Sequence, residues 1–393
     1  MLRNYIKIAF RNMKRHKGYS FINIAGLAVG IACTIVILLW VQDELSFDRF
    51  HENAAQIHRI VADWEKYNWD GFDKVPGPLA QAVKEEIPAI LHTARLSECS
   101  RQVFKYKNNV FYESNGIMAD PSLFKIYSFP FLHGNPETSF SAPTNIVISE
   151  SIARKYFGDE DGFGKTIDVD GKPRTVAGII RDIPPNSHIQ FDYVFSTETQ
   201  RNYRKNWNAF NSMTYVLLQE GANVEEMGPR ITEVAKNHNS PHVHMGVTLR
   251  LQPLSRIHLD SRKNPEKFLK LGDSQYVNLF LLIAFFILLI ACVNFINLST
   301  ARSSIRAREV GMRKTVGAQK PQLIRQFMAE SIILSFVSCL IALVLIELIM
   351  PVFNQISGKK LSFHLLELNH ILGILAIILL VGLLAGAYPA FYI

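Results

Sequence analysis

Gly164-Lys165-Thr166 is the nearest approach of this sequence to a phosphate-binding loop, and it falls short. The pattern needs a glycine five positions before its second glycine, so that backbone N–H groups can cradle phosphate oxygens. That position is Asp159, whose charge would repel a nucleotide. Thr166 also opens an alternating strand, whereas a phosphate loop runs from a strand into a helix. His242 and His244 form a His-x-His, with His51 and His58 far earlier in the chain. No cysteine or acidic cluster accompanies them at metal-ligand spacing, so they read as solvent-exposed loop histidines. Neither Gly-x-Ser-x-Gly nor His-Glu-x-x-His occurs. The sequence offers no catalytic constellation, no metal site and no cofactor site.

Four apolar runs set the positions of everything else: Phe21–Val41, Tyr276–Leu298, Ser331–Met350 and Ile371–Tyr388. Each is about as long as a helix needs to cross ~30 Å of hydrocarbon at ~1.5 Å per residue. Glu347 is the single Asp, Glu, Lys, Arg or His inside them, close enough to the outer end of its run to snorkel toward water. Arg3, Lys7, Arg11, Lys14, Arg15 and Lys17 precede the first run, with no acid before Asp43. Residues 299–328 carry Arg302, Arg306, Arg308, Arg313, Lys314, Lys320 and Arg325 against one acid, Glu309. The positive-inside rule puts both segments in the cytoplasm and residues 42–275 and 351–370 outside. The net charge of +8 is largely these two segments and calls for no nucleic acid.

At the start, Leu2, Tyr5, Ile6, Ala9, Phe10 and Met13 share one helical face and the basic residues another. That is an amphipathic helix lying on anionic membrane lipid. The first run is longer than a signal-peptide core and no small-x-small site precedes Gln42-Asp43-Glu44, so it reads as a retained anchor. Cys33, Cys292 and Cys339 fall in the runs, which leaves Cys99 alone outside and gives the outer domain no internal disulfide.

The outer segment reads as mixed α and β. Strands are expected at Ile57–Trp64, Asn145–Ser149, Met213–Leu218 and Val247–Leu254, and helices at Pro78–Glu86, Ser151–Phe157 and Val224–Lys236. Thr166–Val169 and Thr175–Ile180 form a hairpin around Asp170-Gly171. Ser261–Asp273 reads as a polar return linker. The fold class is an α-helical membrane protein with four transmembrane helices, one before and three after a large mixed α+β extracytoplasmic domain.

Gly26-x-x-x-Gly30 and Gly382-x-x-x-Gly386 are small-xxx-small pairs that let helix backbones approach closely. Between the second and third runs, a helix, a tight break at Val316-Gly317-Ala318 and a new helix from Lys320-Pro321 form a basic elbow suited to docking a soluble protein.

Here the sequence resembles the FtsX-like permeases of ABC transporters, including the MacB type. The shared stretch is Arg306, Glu309, Val310, Gly311, Lys314, Gly317 and Ala318, with Arg313 inside it. The opening RNMKRHKGYSFINIAGLAVGIA and the closing GAYPAFY are similar to that family too. NIVISESIARKYFGDEDGFGKTI and VAGIIRDIPPNSHIQFDYVFS resemble a MacB-like periplasmic core domain. The resemblance implies an amphipathic helix at 1–18, spans at 19–41, 276–298, 329–350 and 371–393, a core domain at 42–275, a coupling segment at 299–328 and a short outer loop at 351–370. It implies an inner-membrane permease without its own ATPase, driven by an ABC ATP-binding subunit docked at residues 306–318. It further implies a two-fold assembly from a homodimer or a second permease half, the latter suggested by the missing cytoplasmic tail after Ile393. For exporters it adds a periplasmic adaptor and an outer-membrane channel. A mechanotransmitting regulator of cell-wall hydrolases and a membrane sensor or receptor are the alternative readings.

Overall fold

The computed structural model describes residues 11, 17–197, 206–261, 267–300, 312, 315, 320–363 and 367–392. It divides into two compact units: Met1–Leu45 with Gln275–Ile393, and Ser46–Ser274. The first apolar run forms helix α1 (Lys17–Leu45) of the former unit.

The outer unit is built on one 14-stranded sheet. It begins with β1 (Ile57–Trp64), β2 (Trp69–Phe72) and β3 (Val75–Pro76), then helix α2 (Leu79–Glu86). Strands β4 (Ile90–Glu98), β5 (Gln102–Tyr106), β6 (Asn109–Glu113) and β7 (Gly116–Ala119) follow, then α3 (Leu123–Ile126) and β8 (Phe131–Gly134). Next come β9 (Asn145–Ser149), α4 (Glu150–Phe157), β10 (Thr166–Val169), β11 (Lys172–Ile180), β12 (Tyr193–Ser196) and β13 (Phe210–Leu218). The unit closes with α5 (Val224–Asn237), α6 (Pro241–His244), β14 (Thr248–Pro253) and α7 (Leu254–Asp260). Strand order is β14-β1-β13-β4-β7-β12-β9-β11-β10-β5-β6, with β2 on β1, β3 on β13 and β8 on β11. Pairing is antiparallel except between β7 and β12 and between β9 and β11.

Local chemistry explains the boundaries. Asp170 and Gly171 both take positive φ, the requirement of a tight two-residue hairpin turn between β10 and β11. The Ser149 hydroxyl accepts from the Ile152 N–H and starts α4, which stops before Gly158 at φ 63°. Leu254 opens a helix rather than ending the last strand, because Pro253 has no N–H with which to continue the ladder. Met227, Ile231, Val234 and Ala235 of α5 recur at helical spacing and bury one stripe, together with α2, over β1, β13 and β14. A second core gathers Ile57, Tyr127, Phe191 and Tyr215. Phe268 and Leu269 join it, and Leu269 bridges Ile189, so these two residues anchor the return segment to the core.

The other unit contains α8 (Ser274–Thr300), α9 (Lys320–Ser357) and α10 (Leu368–Tyr392) beside α1. Among the described residues, α1, Ser274–Leu298 of α8 and Met328–Ser357 of α9 are long and apolar enough to cross a membrane; the apolar stretch of α10, Ile371–Leu384, is shorter. Leu282, Phe285, Leu289 and Ile290 of α8 stay exposed, which is tolerable only where the surroundings are hydrocarbon. Leu27 and Ile31 of α1, Phe295 of α8, Ala342 and Ile346 of α9, and Val381 of α10 share one core. Helix α9 runs through Pro351 to Ser357, so the connection to α10 begins at Gly358, seven residues beyond the boundary expected from hydropathy. Cys33, Cys99, Cys292 and Cys339 are all free thiols.

Candidate functional site

The helical unit packs closely where its glycines lie. A Cβ added at Gly30 would stand 2.6 Å from the Ala291 Cβ of α8, and one at Gly26 would stand 3.3 Å from Asn294 Nδ2. At Gly382 an added Cβ would meet Ile332 of α9, 2.9 Å from Cγ1 and 3.1 Å from Cα. Hydrogen in place of a side chain is what permits these approaches. Gly386 lies in α10, and its surroundings are outside the described residues. Thr34 Oγ1 donates to the Gly30 carbonyl at 2.8 Å, so the hydroxyl is satisfied within α1.

At the other end of α1 the bundle carries a polar clasp. Gly358 takes φ 66° and ends α9, which releases Lys359. Asn354 holds the return turn: its amide donates to the Leu361 carbonyl at 2.8 Å, and its carbonyl accepts from the Leu361 N–H at 3.0 Å. Lys359 Nζ then reaches Glu44 Oε1 at 2.6 Å and also pairs with Asp43 Oδ2. The same ammonium lies 5.3 Å from the centre of the Trp40 ring. Three charges, two of them nearly closed to water, thus tie the α9–α10 connection to the last turn of α1.

The coupling residues Arg306, Glu309, Val310, Gly311, Arg313, Lys314, Gly317 and Ala318 lie outside the described residues. Their described neighbours are helical: α8 reaches Thr300, Thr315 Oγ1 donates to the Met312 carbonyl at 2.7 Å, and α9 starts at Lys320.

In the outer unit, the Gly164 segment is committed to the sheet. The Gly164 N–H donates to the Val176 carbonyl at 2.9 Å and the Lys165 ammonium pairs with Glu160 at 2.5 Å. The two groups a phosphate would need are already engaged. Among the described residues no group of histidine, cysteine or carboxylate side chains is arranged to hold a metal ion. A cleft of about 660 Å³ is lined by Glu98, Cys99, Arg101, Tyr112 and Lys267. Burial pushes the Cys99 thiol up to about 11, so it is no nucleophile at neutral pH.

His51 and His58 correct the sequence reading, because both are buried. His51 Nδ1 accepts from the Ser128 N–H at 3.1 Å, and its ring meets Tyr127 and Phe129 edge-on. Burial, and to a smaller degree the nearby His188, lowers its pKa to about 4 against the pull of Asp48, leaving it neutral at pH 7. Nothing in the sequence points to the Asp48–His188 pair, whose Nδ1 and Oδ2 stand 2.8 Å apart with both side chains closed to solvent. His188 Nε2 faces the Tyr215 hydroxyl at 3.1 Å. Burial opposes ionisation of Asp48, but His188, through its charge and hydrogen bonds, still holds the carboxyl below its usual value. Asp48 also accepts from the Ser187 hydroxyl and the His188 N–H, and its own N–H donates to the Asn186 carbonyl. Residues 46–51 are thereby stitched to 186–188.

Residues 20–234 match the MacB-like periplasmic core domain, and residues 281–393 match the FtsX-like permease C-terminal region. The chain belongs to this family. The macrolide export ATP-binding/permease protein MacB of Shewanella sp. strain W3-18-1 is 22% identical over 401 residues, covering 98% of this chain and 58% of the relative. The protein of the same description from Wolinella succinogenes is 22% identical over 397 residues with the same coverages. The chain therefore spans little more than half the length of these curated relatives. A domain of a Porphyromonas gingivalis protein described as a permease aligns over 59% of this chain and 99% of its own, at 22% identity and a TM-score of 0.46. Family membership makes this chain a multi-pass protein of the inner membrane, with an FtsX-like permease region and a MacB-like periplasmic domain.

Proposed function

We propose that the chain is the membrane subunit through which a separate ABC ATPase moves the periplasmic domain, for export or for mechanical signalling across the membrane. The observation that carries this reading is the order of parts: one apolar helix, a large folded unit, then three apolar helices with a basic elbow between the first two of them. In this arrangement α1 and α8 are the two connections into the outer unit. Arg306, Glu309, Val310, Gly311, Arg313, Lys314, Gly317 and Ala318 would receive the ATPase on the cytoplasmic side, where positive charge favours retention. Four spans, a two-fold assembly and external exposure of residues 46–274 belong to the same proposal.

The test is coupling in a reconstituted complex. Gly317→Leu, at the break expected from sequence where a bulky side chain would obstruct a turn, should separate ATP turnover from crosslinking between periplasmic domains while the protein still inserts. Glu309→Ala should act more mildly, since one exposed ion pair is worth only roughly 0–1 kcal/mol. Wild-type turnover and crosslinking in Gly317→Leu would remove the elbow from the mechanism. Orientation has its own readout. Cysteine at Lys172 or Lys360, both exposed, should label with an impermeant reagent in intact cells, and cysteine at Lys320 should not.

A further inference from the structure

Val110, Phe111 and Tyr112 are 52%, 42% and 63% exposed, three successive large apolar residues in one strand. They occupy β6, which ends the sheet order and pairs only with β5 among the described residues. Exposed sheet edges are usually blunted by charge, proline or a bulge, and Asn109–Tyr112 carries none of these.

The backbone of this edge can be read from its turn. Tyr106 and Asn109 close a two-residue loop in which Lys107 has φ 52°. The flanking pair of such a loop is hydrogen-bonded, and the pairs alternate from there. Asn109, Phe111 and Glu113 therefore spend their N–H and C=O groups on β5, and Val110 and Tyr112 direct theirs outward. Side chains divide in the same way. The Asn109 amide donates to the Tyr156 carbonyl at 3.2 Å, Phe111 meets the Tyr156 ring, and Glu113 accepts from Tyr156 and Lys155, so this face lies on α4. Val110 and Tyr112 project from the other face, where the Arg101 guanidinium covers Tyr112 at 4.1 Å.

We infer that β6 is a self-pairing edge, which joins antiparallel to β6 of a second copy of this chain about a two-fold axis at Phe111. In that register Val110 faces Tyr112 of the second copy and exchanges both backbone bonds with it, and the symmetry repeats the exchange. It is the one two-fold register that pairs every outward group of β6 with another group of β6. A shift to an axis at Val110 sends Tyr112 to the turn residue Asn108, and an axis at Tyr112 sends Val110 to Ser114, beyond the strand. The pairing sets aliphatic Val110 beside aromatic Tyr112, a favourable cross-strand combination. At its ends it sets the Asn109 amide opposite Glu113, whose charge is already met by Lys155 at 2.6 Å, so no like charges oppose each other. The inference names one contact for the two-fold assembly and the external outer unit proposed above, and rests on that part of the reading rather than on coupling to an ATPase.

The test is crosslinking of the full chain in membranes. Phe111 faces its own copy at a non-hydrogen-bonded position, where Cα atoms approach to about 4.5 Å, within disulfide range. Phe111→Cys should form a linked dimer under mild oxidation at least tenfold faster than Lys172→Cys, with the wild-type chain as background for its native thiols. Adding Val110→Lys and Tyr112→Lys, both at exposed positions, should cut that rate at least tenfold. Equal rates at 111 and 172, insensitivity to the lysine pair, or capture of a different protein at 111 would each overturn the assignment.

Discussion

The Lys359 ammonium stands 2.6 Å from the Glu44 carboxylate, and less than a tenth of either side chain is exposed. Asp43 holds the same ammonium from a second side. Lys359→Met leaves two carboxylates facing each other and should lower stability by roughly 2–4 kcal/mol, since an uncompensated, largely buried charge costs more than an exposed pair returns. Glu44→Gln should cost less because Asp43 remains. Thermal unfolding of the full chain in detergent reads both; equal, negligible losses would show that water already screens the cluster.

Gly30 and Gly373 offer a comparison within one bundle. An alanine methyl at Gly30 runs into Ala291, whereas nothing lies within 4 Å of the same position at Gly373. Gly30→Ala should therefore destabilise by about 1–3 kcal/mol through overpacking. Gly373→Ala should be neutral or better in the same melt.

His51 sets a pH dependence whose sign can be worked out. Its folded pKa of about 4 lies below the ordinary 6.5, so across that interval the unfolded chain binds a proton that the folded chain refuses. The associated stability, up to about 3 kcal/mol, is fully present above pH 6.5 and is lost as pH falls toward 4. His51→Gln keeps an acceptor for the Ser128 N–H and should flatten the stability curve between those limits. An unchanged slope in denaturant melts at pH 4.5 and 7 would assign the acid sensitivity elsewhere.

Arg95 grips Asp120 with Nε and Nη2, both at 2.7 Å, inside the outer unit. Asp120 also receives the Arg95 N–H and the Thr197 hydroxyl. Asp120→Ala should cost about 3–5 kcal/mol because it strands the guanidinium. The double variant Arg95→Met/Asp120→Leu should recover much of that loss, and strict additivity of the two single changes in melts would argue against a coupled pair.

What could be read from sequence followed from local constraint. Hydrocarbon thickness fixes the length of an apolar helix, and Asp170-Gly171 announces its own turn. The sheet order was not legible, because many of its pairings join distant segments, as Ile57 with Leu217 does. His51 was misread for a related reason. Arg49, Glu52 and Asn53 around it read as a polar loop, and most of the aromatic wall that buries it, beyond its neighbour Phe50, arrives from residues 127–129. Hydropathy ends the third apolar run at Met350, yet the helix continues through Pro351 to Ser357, because hydropathy marks where the hydrocarbon ends and not where the helix does. The glycine pairs were visible as motifs, but which helix each would face is a property of the packed bundle.

The unbroken run of α9 from Lys320 to Ser357 has a geometric consequence. Its 38 residues make a rod roughly 57 Å long, nearly twice the ~30 Å depth of hydrocarbon it has to cross. A rod that overhangs its pivot works as a lever. Rocking it by about 5° around its middle swings each tip by about 2.5 Å in opposite senses, enough to shift a packed side chain from one notch toward the next. Lys359, two residues past the outer tip, would carry that displacement straight to Glu44, with no need for the helix to stretch, unwind or slide.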